Sequence, residues 1–114
     1  MKQFEIWLAN LDPSYGTEVG KTRPVLIVQN DFLNQYGHKS TLICPLTTNL
    51  TDGSTLLRTR IIKGQANLEK HSDVLIDQIT AIDNRRFVAN IGTIPPFLMV
   101  RVKQNLINIF DLND

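Results

Sequence analysis

Arg23 stands at the end of a polar loop, directly before an apolar run. The loop and its exit read Leu11-Asp-Pro-Ser-Tyr-Gly-Thr-Glu-Val-Gly-Lys-Thr-Arg-Pro-Val-Leu-Ile-Val28. A guanidinium offers a planar fork of donors that suits a phosphate and stabilises a developing oxyanion. Pro24 fixes the backbone beside it and limits where Arg23 points. Glu18, five residues earlier, can take a proton if a hydroxyl comes within hydrogen-bond reach. An exposed loop Glu is ordinarily solvated surface, so its role depends on what the fold brings near it. Thr17 and Lys21 add a hydroxyl and a charge to the same loop, and two glycines allow close backbone approach. Together these residues ask whether the chain acts on a phosphodiester; the plainer alternative for Arg23 is a structural side chain that bonds loop carbonyls.

Two other polar clusters follow buried stretches. Thr47-Thr48-Asn49 comes after an apolar run, where hydroxyls either close a turn or hold a phosphate oxygen opposite Arg23. Asp77-Gln78 follows Val74-Leu75-Ile76; it either caps a helical turn toward Ala81 or reads a base edge, since Gln both donates and accepts.

The elements that must place these residues are short and mostly extended. Phe4–Leu11 alternates and reads as a strand. Pro24–Gln29 is an unbroken apolar run that predicts a strand buried on both faces. Asn30-Asp31 caps a short helix ending near Gly37. Ser40–Leu46, Thr55–Ile62, Asp73–Asp77 and Arg86–Ile91 complete the strands, and period two puts Arg58 and Arg60 on one face. Pro95-Pro96 suits a helix start, and Phe97, Val100, Leu106, Ile107 and Phe110 predict an amphipathic helix over 96–111 with a core-facing stripe. The whole is mainly β (α+β), a small, strongly twisted barrel-like sheet with one C-terminal helix.

Composition excludes several classes. At 114 residues the chain has the length of one domain (1–114), and 42% apolar with 20% charged residues is ordinary for a globular protein. A net charge of +1 argues against a protein that coats duplex nucleic acid; any such contact is a local patch. The single cysteine, Cys44, excludes an internal disulfide and sits in an apolar run as a small buried hydrophobe. His38 and His71 lie in polar loops without metal-ligand neighbours at a recognised spacing. There is no phosphate-cradling Gly-rich motif and no G-x-S-x-G. Neither a signal peptide nor a run of roughly 18 apolar residues is present, so no membrane contact and a cytoplasmic location are expected.

Taken in order, Glu5-Ile6-Trp7, Leu11-Asp12-Pro13, Gly16-Thr17-Glu18, Thr22-Arg23-Pro24-Val25-Leu26-Ile27-Val28, Pro45-Leu46-Thr47-Thr48, Asp77-Gln78, Ile82-Asp83 and Ile91-Gly92 resemble the MazF/PemK (Kid) family of toxin endoribonucleases. The resemblance covers nearly the whole chain. It implies an SH3-like β-barrel with a C-terminal helix, usually a homodimer. It also implies metal-independent, cofactor-free cleavage of single-stranded RNA at short sequences, leaving a 2′,3′-cyclic phosphate and a 5′-hydroxyl. A cognate antitoxin with a disordered acidic tail would neutralise it. Mapped by position, the resemblance implies Arg23, Thr48 and Glu18 as catalytic. Thr17, Lys21, Pro24, Asn30, Thr47, Asp77, Gln78 and Thr80 are the expected RNA contacts. Thr80 stands where the family often has Arg, and Leu75 where some relatives have Arg, so a PemK-style His/Arg/Asp set is incomplete. The rival is a CcdB-like, non-enzymatic gyrase binder on a similar fold.

Overall fold

The computed structural model describes residues 1–112. In chain order the elements are β1 (Glu5–Asn10), β2 (Thr22–Ile27), α1 (Asp31–Gln35), β3 (Ser40–Thr47), β4 (Arg58–Ile61), β5 (Ser72–Leu75), β6 (Thr80–Asp83), β7 (Phe87–Thr93) and α2 (Pro96–Phe110). The strands pair antiparallel in the order β4-β5-β3-β2-β1-β7, with β6 joining β3 outside that path. The result is the mainly β sheet with a C-terminal helix that the sequence predicts, with seven strands where the sequence suggests six.

β3 organises the sheet because one of its edges has two partners. Its first half, Ser40–Ile43, pairs with β6, and its last residues, Leu46 and Thr47, pair with β5. The link between β5 and β6 is a single 3-10 turn over Ile76–Gln78. That fork places Asp77 and Gln78 beside the middle of β3.

Alternation along the central strands explains the two cores. Leu26, Val28, Cys44 and Leu46 point to one side, where Ile6, Ile61, Val74, Ile76 and the α2 residues Leu98 and Val102 meet them. Val25, Ile27 and Ile43 point to the other side and pack with Ala9, Leu11 and Ile82, against Trp7, Val19 and Phe87. Both faces of β2 are therefore buried, as its continuous apolar run predicts. Each fully buried Leu or Ile contributes about 1.5–3 kcal/mol.

Three expectations are corrected. Leu106 of the expected α2 stripe packs against the core, but the residues buried there are Leu98, Val102 and Asn105, while Phe97, Val100 and Phe110 are about half exposed or more. Asn105 is accommodated because it accepts from Thr59 Oγ1 and donates to the carbonyls of Thr55 and Leu56. Those last two bonds help hold Thr55–Leu57 in a turn closed on Ser54, so β4 starts at Arg58 rather than Thr55. Residues 80–83 form a strand rather than continuing a helical turn, because β3 pairs with all four.

Candidate active site

The loop between β1 and β2 is closed by its own polar groups. Leu11 N–H donates to the Lys21 carbonyl at 2.9 Å, and Lys21 N–H donates to Asp12 Oδ1 at 2.7 Å. The Ser14 and Asp12 side chains close over Gly20, and a Cβ there would displace the Ser14 hydroxyl and the Asp12 carboxylate. The carbonyl this packing fixes accepts from Arg23 Nε at 2.8 Å. A second bond runs from Arg23 Nη1 to the Leu46 carbonyl at 3.3 Å, which ties the guanidinium to the end of β3.

Arg23 is held by carbonyls alone. Among the described residues no carboxylate pairs with it, and two of the five N–H donors of a guanidinium are used. By parity with Val25 and Ile27 its side chain lies on the β2 face away from α2. On that face Val25 is opposite Pro45, so two residues farther along each strand Arg23 comes level with Thr47. Thr47 Oγ1 accepts from Asn49 N–H at 3.1 Å, closing a turn that leaves Thr48 exposed just past the strand.

A cleft of about 490 Å³ opens on this same face. Glu18, Pro45, Asp77, Gln78, Thr80 and Arg86 line it, over an apolar floor that includes Leu11, Val19 and Ile82. Glu18 is oriented by Tyr15, whose N–H donates to Glu18 Oε1 at 2.8 Å, and among the described residues its second oxygen has no bond of this kind. The structure therefore gathers Glu18, Asp77, Gln78 and Thr80 around one cleft and sets Arg23, Pro24, Thr47 and Thr48 along the neighbouring ends of β2 and β3. Thr17 and Lys21 are exposed in the β1–β2 loop outside the cleft lining. Asn30 lies beyond the opposite end of β2, where its Oδ1 accepts from Leu33 N–H and caps α1.

Arg86 was not singled out by the sequence. It lines the cleft and its guanidinium donates to the carbonyls of Asn10 and Asp12, bracing the start of the β1–β2 loop. A basic residue 74 positions away in the chain gives no local sign of that reach. Cys44 is buried, and desolvation, with the nearby Asp77 charge adding to it, pushes its thiol up to about 12. That rules it out as a thiolate nucleophile at neutral pH. Among the described residues no three or more His, Cys, Asp or Glu side chains gather where they could hold a metal ion, and no helix is long and apolar enough to cross a membrane.

Comparison with known proteins settles the lineage. The profile of the PemK-like, MazF-like toxins of type II toxin–antitoxin systems matches residues 2–110. The chain belongs to that family. It is 28% identical over 114 residues to the endoribonuclease MazF of Staphylococcus epidermidis, covering 100% of this chain and 94% of that protein. To the endoribonuclease MazF of Staphylococcus saprophyticus it is 33% identical over 86 residues, covering 75% and 71%. Among solved structures, MazF from Deinococcus radiodurans has a TM-score of 0.81 at 20% identity, with 97% and 96% of the chains covered. The Mycobacterium tuberculosis toxin MazF-mt6 has a TM-score of 0.79 at 23% identity over 96% and 99%. A mycobacterial endoribonuclease solved in complex with its cognate antitoxin has a TM-score of 0.78 at 18% identity over 100% and 98%. These structures share the MazF fold found here, and the sequence relatives are named as nucleases rather than gyrase binders.

Proposed function

We propose that this toxin endoribonuclease cuts single-stranded RNA at short sequences without a metal, by attack of a ribose 2′-hydroxyl on its own 3′-phosphate. The 2′-O–P bond forms as the P–O5′ bond breaks, giving a 2′,3′-cyclic phosphate and a 5′-hydroxyl; one proton leaves the 2′-oxygen and one arrives on the 5′-oxygen. The observation that carries this reading is Arg23, fixed by two carbonyls and left with three N–H donors, beside the cleft that Glu18 enters. A positive group preset where negative charge develops supplies most of what such a transition state needs.

In this reading Arg23 holds a non-bridging oxygen and the Thr48 hydroxyl a second one. The free oxygen of Glu18 takes the 2′-proton. Asp77, Gln78 and Thr80 meet the bases, which only an unstacked strand can present. The mycobacterial relative bound to its antitoxin supports a cognate antitoxin here, whose acidic, disordered tail covers the Arg23 side of the cleft. Exposed Phe97 and Val100, three residues apart on α2, suit burial between two copies in a homodimer. The working site is cytoplasmic RNA.

The test is to incubate purified protein with one long single-stranded RNA in excess chelator and to analyse fragment ends. Discrete fragments with 5′-hydroxyl ends, absent with Arg23→Ala, are expected. Cleavage by Arg23→Ala at the wild-type rate would remove the assignment. Intact RNA together with arrested gyrase would favour the non-enzymatic rival.

A further inference from the structure

Asp73 is a charged residue with 1% of its surface exposed, outside the cleft just described. It lies on β5 directly opposite Thr47. Its carboxylate collects donors from three places. Arg60 Nε donates to Oδ1, Arg58 Nη1 donates to Oδ2 at 3.1 Å, and the backbone N–H of Thr51 donates to Oδ2 at 3.0 Å. Register explains the convergence, because β4 sets Arg60 opposite Asp73 and Arg58 two residues along the same face.

The same set grips the segment that follows Thr48. Arg58 Nη1 donates to the Asn49 carbonyl at 3.0 Å, Asp73 takes the Thr51 N–H, and Arg60 Nη1 pairs with Asp52 at 3.0 Å. On the other side Thr47 is the β-sheet partner of Asp73. Thr48 therefore sits between two residues tied to one buried ion cluster. An exposed segment after a strand end is ordinarily mobile. A buried ion pair is also a weak way to gain stability, since an apolar replacement often does as well or better. What the cluster supplies is a fixed backbone on both sides of one hydroxyl.

We propose that Asp73, acting through Arg58, is a positioning residue that holds Thr48 in register with Arg23 for RNA cleavage. The proposal rests on Thr48 being part of the cleaving site. One nitrogen, Arg58 Nη1, makes both the Asp73 and the Asn49 bonds, and Arg58→Lys keeps a charge beside Asp73 while replacing that rigidly placed nitrogen with a freely rotating ammonium on a different stem. Asp73→Asn removes the charge at constant shape.

The experiment measures kcat and KM on a fluorescent single-stranded RNA for both variants, alone and combined with Thr48→Ala. Melting curves confirm that each variant is folded at the assay temperature, and Arg58→Lys serves where Asp73→Asn is not. The expected result is a drop in kcat of about 10- to 100-fold, the scale of a misplaced reacting group. KM should stay close to wild type. In the Thr48→Ala background the same substitutions should have little further effect, as groups acting as one unit do. Penalties that multiply with that of Thr48→Ala, or wild-type kcat in both folded variants, would overturn the proposal. If Thr48→Ala itself cleaves at the wild-type rate, the assignment of Thr48 is what fails, and the positioning role falls with it.

Discussion

Arg23 and the Arg58/Arg60 pair are the same residue type at half-buried strand positions, yet the protein treats them in opposite ways. Arg58 and Arg60 converge on the buried carboxylate of Asp73, and Arg60 also reaches Asp52. Their charge is answered inside the fold. Arg23 is fixed just as firmly, but by the Gly20 and Leu46 carbonyls, which orient a guanidinium without neutralising it. Partner type therefore separates a cation answered by a carboxylate from one that is oriented and left unanswered among the described residues.

The contrast breaks most sharply at Arg23. Arg23→Ala should lower the cleavage rate by about 10²–10³, the usual loss for one well-placed oxyanion stabiliser. Its stability cost should stay below about 2 kcal/mol, because only two hydrogen bonds to carbonyls are lost. Urea titration and a cleavage assay on the same sample read both. A large drop in midpoint with modest loss of activity would make Arg23 a structural residue like the other two.

Asp73→Ala should show the reverse order, a loss of stability first. Removing one partner from a buried ion cluster costs about 3–5 kcal/mol. The lower end is expected here, because the Arg58 and Arg60 side chains are 23% and 35% exposed and can recover some hydration. A midpoint unchanged from wild type would mean the arginines need no answering charge.

Acid sharpens the comparison without mutating either arginine. Burial alone would raise the Asp73 carboxyl, but hydrogen bonds from Arg60, the Thr51 backbone and Arg58 hold it below its ordinary 3.8. The unfolded chain then takes up the proton first. The stabilisation is complete above 3.8 and is lost as pH falls through the lower folded value. Asp83 is also lowered, to about 2, chiefly by its hydrogen bonds with Arg85, and Glu5 and Asp31 are lowered as well, so total stability mixes all four. The gap between wild type and Asp73→Asn isolates Asp73. It should be constant from pH 7 to about 4 and close below that. A gap that persists at pH 2 would show that Asp73 is not held by charge.

How much of this could be read beforehand follows from how local each signal is. β2, β3 and α2 were legible because an apolar run, or a proline-started periodic stretch, carries its own boundaries, to within about two residues. Arg58 and Arg60 sharing a face followed from period two alone. β6 was not legible: four residues with one buried side chain become a strand only because Ser40–Ile43 pairs with them. The core face of α2 was misassigned because Phe97 and Val100 are larger and more apolar than Asn105, which is buried through partners near residue 55. At the site, Arg23, Glu18, Asp77 and Gln78 carried chemical types that stand out. Asp73 and Arg86 did not, since their roles arise from register and from a reach across most of the chain.

The smallest effect lies at the outer end of the ion cluster. Arg60 meets Asp52 at 3.0 Å, but the Asp52 side chain is 94% exposed. Water screens that pair and the loop loses freedom to make it, so Asp52→Asn should cost about 0.2–1 kcal/mol at low salt. At 1 M salt, where screening acts over about 3 Å, the variant and wild type should melt together. Cleavage should be unchanged, because the Asn49 carbonyl and the Thr51 N–H remain tied to Arg58 and Asp73. A kcat loss as large as that of Arg58→Lys would move the hold on the Thr48 segment from the buried carboxylate to its solvated tip. The distinction between an answered and an unanswered arginine would then matter less than how the loop itself is pinned.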